Sequence, residues 1–363
     1  MKTRLLGIAL ILLAGLAVLN LYQAFARVSG DHDQHEAYVA DAEMASAVAE
    51  ADFDEDFDFD FDFDFDFDFD FDTEDAVQES SDRDVVIDER FSVRAGDDLV
   101  IDVQHADIEI QTRSDADEAR IVVTVQSRNM EAAMERFRAM DFRTYKEGDA
   151  VVLRSESPRN TNWRTRMSID VVAIIPARFD VDVHSTHGDV ELGDLAGTLK
   201  LKTTHGDVDM ASLEGDWAEI NTTHGDVETR DIRAERLAIR TTHGDIEMGR
   251  VTTDSFSAST THSDVDIAEL TGRSEIRTTH GDVSIRVDRT DGLDIRTTHG
   301  DVAIALPSDF RADLDLRGER VVLPSSSDFN GTLKKKSANG SLNGGGVHID
   351  VSTTHGDVAL RHR

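Results

Sequence analysis

Three observations predict an all-β chain whose main body is a β-solenoid, β-helix-like, of ~19-residue rungs. First, the motif T-H-G-D-V or a close copy surrounds His187, His205, His224, His243, His262, His280, His299 and His355. Second, successive motif histidines lie 18, 19, 19, 19, 18, 19 and then 56 residues apart. Third, the apolar positions change parity across each histidine. Before it, small or apolar residues fall two, four and six positions back, as in Leu199, Leu201 and Thr203. After it they fall three and five positions on, as in Val208 and Met210.

A single strand cannot change parity, because its side chains alternate strictly. The chain must therefore turn or bulge between Thr203 and Val208, where His205, Gly206 and Asp207 lie. Glycine supplies positive φ, and aspartate accepts nearby backbone N–H groups. The motif is read as a corner joining two strands of one rung. Each rung then pairs with the next at about 4.8 Å. No rung buries its apolar face alone, so the array folds as a stack.

Residues 1–26 read as a secretory signal peptide, with Lys2 and Arg4 before the apolar run Leu5 to Leu19 and a small-x-small site at Ala24-Phe25-Ala26. An uncleaved N-terminal anchor is the other reading. Residues 27–84 read as a disordered acidic linker, with strict Phe-Asp alternation from Phe57 to Asp72. That alternation puts phenylalanine on one face and aspartate on the other. It also allows a segment that docks its Phe face or self-associates.

Residues 85–178 read as a strand-rich region of the repeat domain with one short helix. "VVIDERFSV", "LVIDVQHADIEI", "ARIVVTVQS", "AVVLRSE" and "SIDVVAIIP" have strand patterning. "NMEAAMERFRAMDF" predicts the helix, with Met130, Met134 and Phe137 at helical spacing. His105 and Asp107 form an early copy of the corner, with Ala106 in the glycine place.

Residues 179–363 read as the repeat array. The gap of 56 residues equals three rungs, so two rungs are expected between His299 and His355. "SANGSL" (Ser337 to Leu342) fits one, with Asn339 in the histidine place; "LRGERV" fits the other more loosely. The final rung, ending "VALRHR", shows no obvious cap, so end-to-end self-association is expected.

The chain has no cysteine, which excludes disulfides, thiolate metal sites and cysteine nucleophiles. Its net charge is −35, of which residues 31–84 carry −22. Nucleic acid and anionic membrane surfaces are unfavourable partners for such a chain. Membrane attachment is expected only through an uncleaved N-terminal segment.

The repeated "TTHGDV" and "SANGSL", the "DVQHADIEI" strands and "VVAIIPARFDVDV" leading into the array resemble the bacterial β-strand-repeat, candidate-adhesin family of unknown function. The resemblance covers roughly residues 85 to 363. It implies a β-solenoid-like domain at the cell envelope, with cell-surface or envelope components as partners, and no catalytic residues. Nearly uniform histidine is the departure from the family, which has Ser, Asn or another small polar residue there.

The candidate site is the corner ladder: His187, Asp189, His205, Asp207, His224, Asp226, His243, Asp245, His262, Asp264, His280, Asp282, His299, Asp301, His355 and Asp357. The first reading is structural, with these side chains in solvent and no cofactor. A second is a metal ladder collecting Zn²⁺ between imidazoles or Ca²⁺ along the carboxylates. A third is a pH response, because histidine charges near neutrality. Catalysis is not expected, since a recurring His-x-Asp pair lacks a distinct nucleophile and no G-x-S-x-G or H-E-x-x-H occurs. The expected role is a non-enzymatic, exported protein of the periplasm, cell envelope or medium.

Overall fold

The computed structural model describes residues 83–114, 117–156, 166–325 and 328–363. The signal or anchor over 1–26 and nearly all of the linker over 27–84 lie outside them. No helix among the described residues is long and apolar enough to cross a membrane.

The chain enters through β1 (Arg83–Ser92), β2 (Asp98–Asp102), β3 (Asp107–Arg113) and β4 (Glu118–Gln126). The helix α1 (Met130–Ala139) follows, then β5 (Arg143–Glu147), β6 (Ala150–Arg154) and β7 (Ser168–Pro176). Asn129 caps α1 by accepting the Ala132 N–H, Glu131 lies in its first turn, and Arg136 and Arg138 lie in its last. Ala133 and Phe137 are its buried residues, which is the face that the methionine and phenylalanine spacing predicts.

The array begins with β8 (Asp180–His184), β9 (Val190–Leu192), β10 (Leu195–Ala196) and β11 (Leu199–Lys202). Four long strands follow: β12 (Val208–Asn221), β13 (Val227–Arg240), β14 (Ile246–Ser259) and β15 (Val265–Arg277). Each of these runs from one corner to the next. They pair in parallel, residue for residue: Val208 with Val227, Val227 with Ile246, and Ile246 with Val265. The shorter β16 (Val283–Arg289), β17 (Leu293–Arg296) and β18 (Val302–Leu306) continue both ladders.

The parity change is present as expected. Thr203 and Val208, on the two sides of one corner, are 2% and 1% exposed. Val190, Val208, Val227, Ile246, Val265, Val283 and Val302 stack as a buried column. Each such side chain contributes roughly 1.5–3 kcal/mol through burial. The column, repeated rung by rung, helps to hold the stack together.

The expectation of two rungs between His299 and His355 is corrected. His299 bridges directly to His355. The intervening chain forms β19 (Ala312–Arg317), β20 (Val321–Val322), β21 (Phe329–Lys334) and β22 (Ser337–Leu342). Then β23 (Val347–Ser352) and β24 (Val358–His362) close the chain. β23 lies between β17 and β19, and β24 between β18 and β20, all in parallel. The last rung in the sequence is therefore inserted one place inside the end of the stack. "LRGERV" does supply a terminal partial rung, through β19 and β20. "SANGSL" does not form a corner. It is β22, antiparallel to both β19 and β21, and Asn339 pairs with Asp315 and Thr332. The chain reverses at Lys335-Lys336, so "SANGSL" runs against the rungs and its glycine falls inside a strand.

The final rung is itself covered, by β19 and β20 and then by β22 and β21. Both ends of the stack change from parallel to antiparallel pairing. At one end β7, β4 and β1 run antiparallel in turn, and β5 runs antiparallel to β6. At the other, β19, β22 and β21 do so.

Candidate functional site

The corners share one plan. The threonine two places before the histidine faces inward and is buried, as at Thr203, Thr222 and Thr241. The histidine N–H donates to the threonine carbonyl just before the histidine of the previous rung: His205 to Thr186 at 3.0 Å, His224 to Thr204 at 2.9 Å. The histidine carbonyl then accepts the glycine N–H of that previous rung, as His205 does from Gly188 at 3.0 Å. The backbone locks one corner onto the next, and the histidine and aspartate side chains emerge into solvent.

The imidazoles form one stack. It runs from His105 through His187, His205, His224, His243, His262, His280 and His299 to His355. Ring centroids lie 4.6 Å apart for His105 and His187 and at most 5.0 Å apart for His262 and His280. From His205 to His262 adjacent planes agree within 3°. The early copy at His105 thus belongs to the ladder. Burial first, then the charges of His187 and Arg136, hold the His105 pKa below the ordinary histidine range.

The aspartates form a second column by a different device. Asp207 accepts the backbone N–H of Asp226 at 2.9 Å, Asp226 that of Asp245 at 2.7 Å, and Asp245 that of Asp264 at 2.9 Å. The same bond links Asp107 to Asp189, Asp189 to Asp207, Asp264 to Asp282, Asp282 to Asp301 and Asp301 to Asp357. Aspartate therefore serves the next rung rather than its own turn. At the last corner Asp357 instead meets the Arg320 guanidinium at 2.8 Å, a side-chain stop to the column.

Glycine is required chiefly because the rungs touch. A Cβ on Gly206 would lie 2.0 Å from the Gly188 carbonyl oxygen, and one on Gly225 2.0 Å from that of Gly206. Positive φ, the sequence-based reason, applies clearly at Gly188, where φ is +118°. Ser263 shows how a side chain is accommodated. No backbone bridge forms between His243 and His262, unlike the other adjacent corners. The Gly244 N–H donates instead to the Ser263 hydroxyl at 2.7 Å. Ring stacking continues across the gap at 4.8 Å.

A third column escapes a reading centred on the histidines. Glu109, Glu191, Asp209, Glu228, Glu247 and Asp266 lie four places after their histidines and pair in register. They share a strand face with the corner aspartates, two places before them. Their signal in the sequence is an acidic residue at that position in six copies, replaced by Ser284, Ala303 and Ala359 in the last three. Partial burial, reinforced by neighbouring carboxylates, raises the pKa values of Glu191, Asp209, Glu228, Glu247 and Asp266. Asp209 is pushed up to about 6, with Glu228 its nearest charged cause. Asp266 is pushed up to about 7, with Asp264 and Glu247 acting after burial. Glu191, Glu228 and Glu247 are raised for the same reasons.

The corner geometry does not gather metal ligands. A zinc ion holds imidazole nitrogens at about 2.0–2.1 Å, so two nitrogens sharing it stand at most about 4.2 Å apart. Parallel rings displaced by 4.6 to 5.0 Å keep equivalent nitrogens farther apart than that. Among the described residues no three His, Asp or Glu side chains form a group that could hold a metal ion. Half a rung away, a groove of about 1060 Å³ follows the stack over Gly197, Gly215, Ala234, Thr253, Gly272 and Thr290. Like the corner, it repeats one arrangement from rung to rung.

A known family shares this architecture. The Toastrack DUF4097 family matches residues 97–361. The chain belongs to that family. No curated protein matches it. Among solved structures, this Toastrack chain is similar to a candidate adhesin from Bacteroides fragilis, at 12% identity over 78% of this chain and 98% of that one, with a TM-score of 0.37. A candidate lipid-binding protein from Parabacteroides distasonis is 12% identical over 77% of this chain and 97% of that one, with a TM-score of 0.45. A candidate adhesin from the same species is 10% identical over 76% and 96%, with a TM-score of 0.38. For the Toastrack chain described here, the continuous histidine stack is the feature that any functional reading has to use.

Proposed function

We propose that this Toastrack protein is a non-enzymatic, exported envelope protein that acts as a structural or adhesive surface. One observation carries the reading. Nine successive corners present the same exposed imidazole at a constant pitch, each with an aspartate beside it. Repetition suits weak contacts made many times, because linked contacts gain avidity without any strong single site. It suits catalysis poorly, since a reaction centre needs distinct groups in distinct roles.

The partners under this reading are components of the envelope or of another cell surface. The test is loss of the gene. Surface attachment or cell–cell aggregation is expected to fall, and to return when the gene is restored. If neither property changed, the adhesive reading would be abandoned.

A further inference from the structure

The strand β21 ends the stack with an unused edge. It pairs with β22 on one side and with nothing on the other among the described residues. Five of its six residues are exposed. Leu333 is 50% exposed, one of two large apolar side chains in that state among the described residues. Lys334, Lys335 and Lys336 follow at once, the longest basic run in a chain of net charge −35. Edge strands of this kind accept a further strand through their free N–H and C=O groups.

The pleat of β21 gives it two different faces. Phe329, Gly331 and Leu333 point one way, and Asn330, Thr332 and Lys334 the other. Phe329 packs against the core, so its face continues the apolar interior. The tract from Phe57 to Asp72 carries the complementary pattern, with phenylalanine and aspartate at alternate positions. Beside β21 its Phe row would extend the Phe329 and Leu333 face. Its Asp row would then face Lys334, with Lys335 and Lys336 close by. The strand β1, which holds the other exposed apolar residue, Val85, is a poorer acceptor. It carries Asp84, Asp88 and Glu89, and its arginines are already paired, Arg83 with Asp170 and Arg90 with Glu118.

Distance decides which copy is joined. Eight rung spacings of about 4.8 Å separate His105 from His355, about 38 Å in all. Three further strand spacings separate β3 from β1, through β7 and β4, and three separate β23 from β21, through β19 and β22, so β1 and β21 stand roughly 60 Å or more apart. Six residues of the tract cover β21; with those around Phe65 paired, the fifteen residues from Asp68 to Asp82 that lead to β1 span at most about 54 Å. We propose that the Phe-Asp tract of one molecule adds as a strand to the free edge of β21 in a second copy, joining molecules head to tail. Such a contact uses different surfaces on the two partners, so it propagates as an open filament unless the geometry closes a ring.

The absence of cysteine makes the test direct. Full-length Phe65→Cys and Leu333→Cys proteins are mixed and oxidised. A disulfide-linked heterodimer is expected at least tenfold above the level formed when Phe65→Cys is mixed with Val85→Cys. In sedimentation velocity, the wild-type chain is expected to assemble with rising concentration. Assembly should be lost when all eight phenylalanines from Phe57 to Phe71 become serine, which keeps the charge. It should also be lost in Lys334→Glu/Lys335→Glu/Lys336→Glu, whose changes are all at exposed positions and should leave the melting temperature unchanged. A monomeric wild type, assembly that survives the serine variant, or preferred cross-linking to position 85 would each overturn the proposal. None of these outcomes bears on whether the gene affects attachment.

Discussion

The Oδ1 of Asp226 lies 2.7 Å from the backbone nitrogen of Asp245, one rung further along the stack. A side chain thus supplies a hydrogen bond between rungs at a point where the corner interrupts the strand ladder. Asp226→Ala is expected to cost about 0.5–1.5 kcal/mol in urea unfolding. Asp226→Asn keeps an oxygen acceptor and removes a charge, so it should cost less. Hydrogen exchange checks the cause: the Asp245 amide should exchange faster in the alanine variant and near its original rate in the asparagine variant.

The glycine contact gives a sharper expectation. In Gly225→Ala the new Cβ would sit 2.0 Å from the Gly206 carbonyl oxygen, a backbone atom held in the ladder. Rungs must separate locally, at a cost of about 3 kcal/mol. Gly225→Ser should be milder than alanine despite its larger side chain. Its hydroxyl can take over the Gly206 N–H, as Ser263 does for Gly244. Chemical unfolding of the two variants should rank them in that order.

The stacking of the corner histidines carries a stability prediction. His224 lies between His205 and His243 at ring distances of 4.8 and 4.9 Å. His224→Ala removes both contacts and should lower stability by about 1–3 kcal/mol, twice the range for one favourable ring contact. Titration with zinc should release no more heat from the wild-type protein than from an array whose corner histidines are all asparagine. Excess heat would require the rings to leave the parallel arrangement.

The acidic column predicts a pH effect whose sign is fixed by the raised carboxylates. Asp266 titrates at about 7 in the folded chain against an ordinary 3.8. Between those values the folded state holds a proton that the unfolded state has released. Its contribution to stability therefore falls as pH rises from about 4 to about 7, and the penalty is complete above that. Asp266→Asn removes the penalty. The variant should melt about 2–4 °C higher than wild type at pH 8. The difference should shrink towards pH 4. A constant difference across that range would remove the carboxylate explanation.

The repeat, the corner and the early copy at His105 were legible in the sequence because each is a periodic pattern. The parity change across His-Gly-Asp needed only the alternation of Thr203 and Val208 about a turn. The reason for glycine was less accessible, since it depends on an atom of the preceding rung. The column through Asp209 and Asp266 is hard to see in the sequence, because half-buried acidic residues on a strand look like an ordinary solvated face. The segment from Pro307 to Gly346 is the least legible. Its length matched whole rungs, but length carries no direction, and "SANGSL" runs antiparallel.

That excursion puts order in the chain at odds with order in the stack. The terminal partial rung of β19 and β20 emerges from synthesis before β23 and β24, the strands on which it rests. During N-to-C emergence, residues 312–322 have no native platform until residues 347–362 arrive beneath them. The array can grow one layer at a time as far as His299, but its final layers must be completed together. The tail of the polypeptide works as a wedge driven under a lid already laid down.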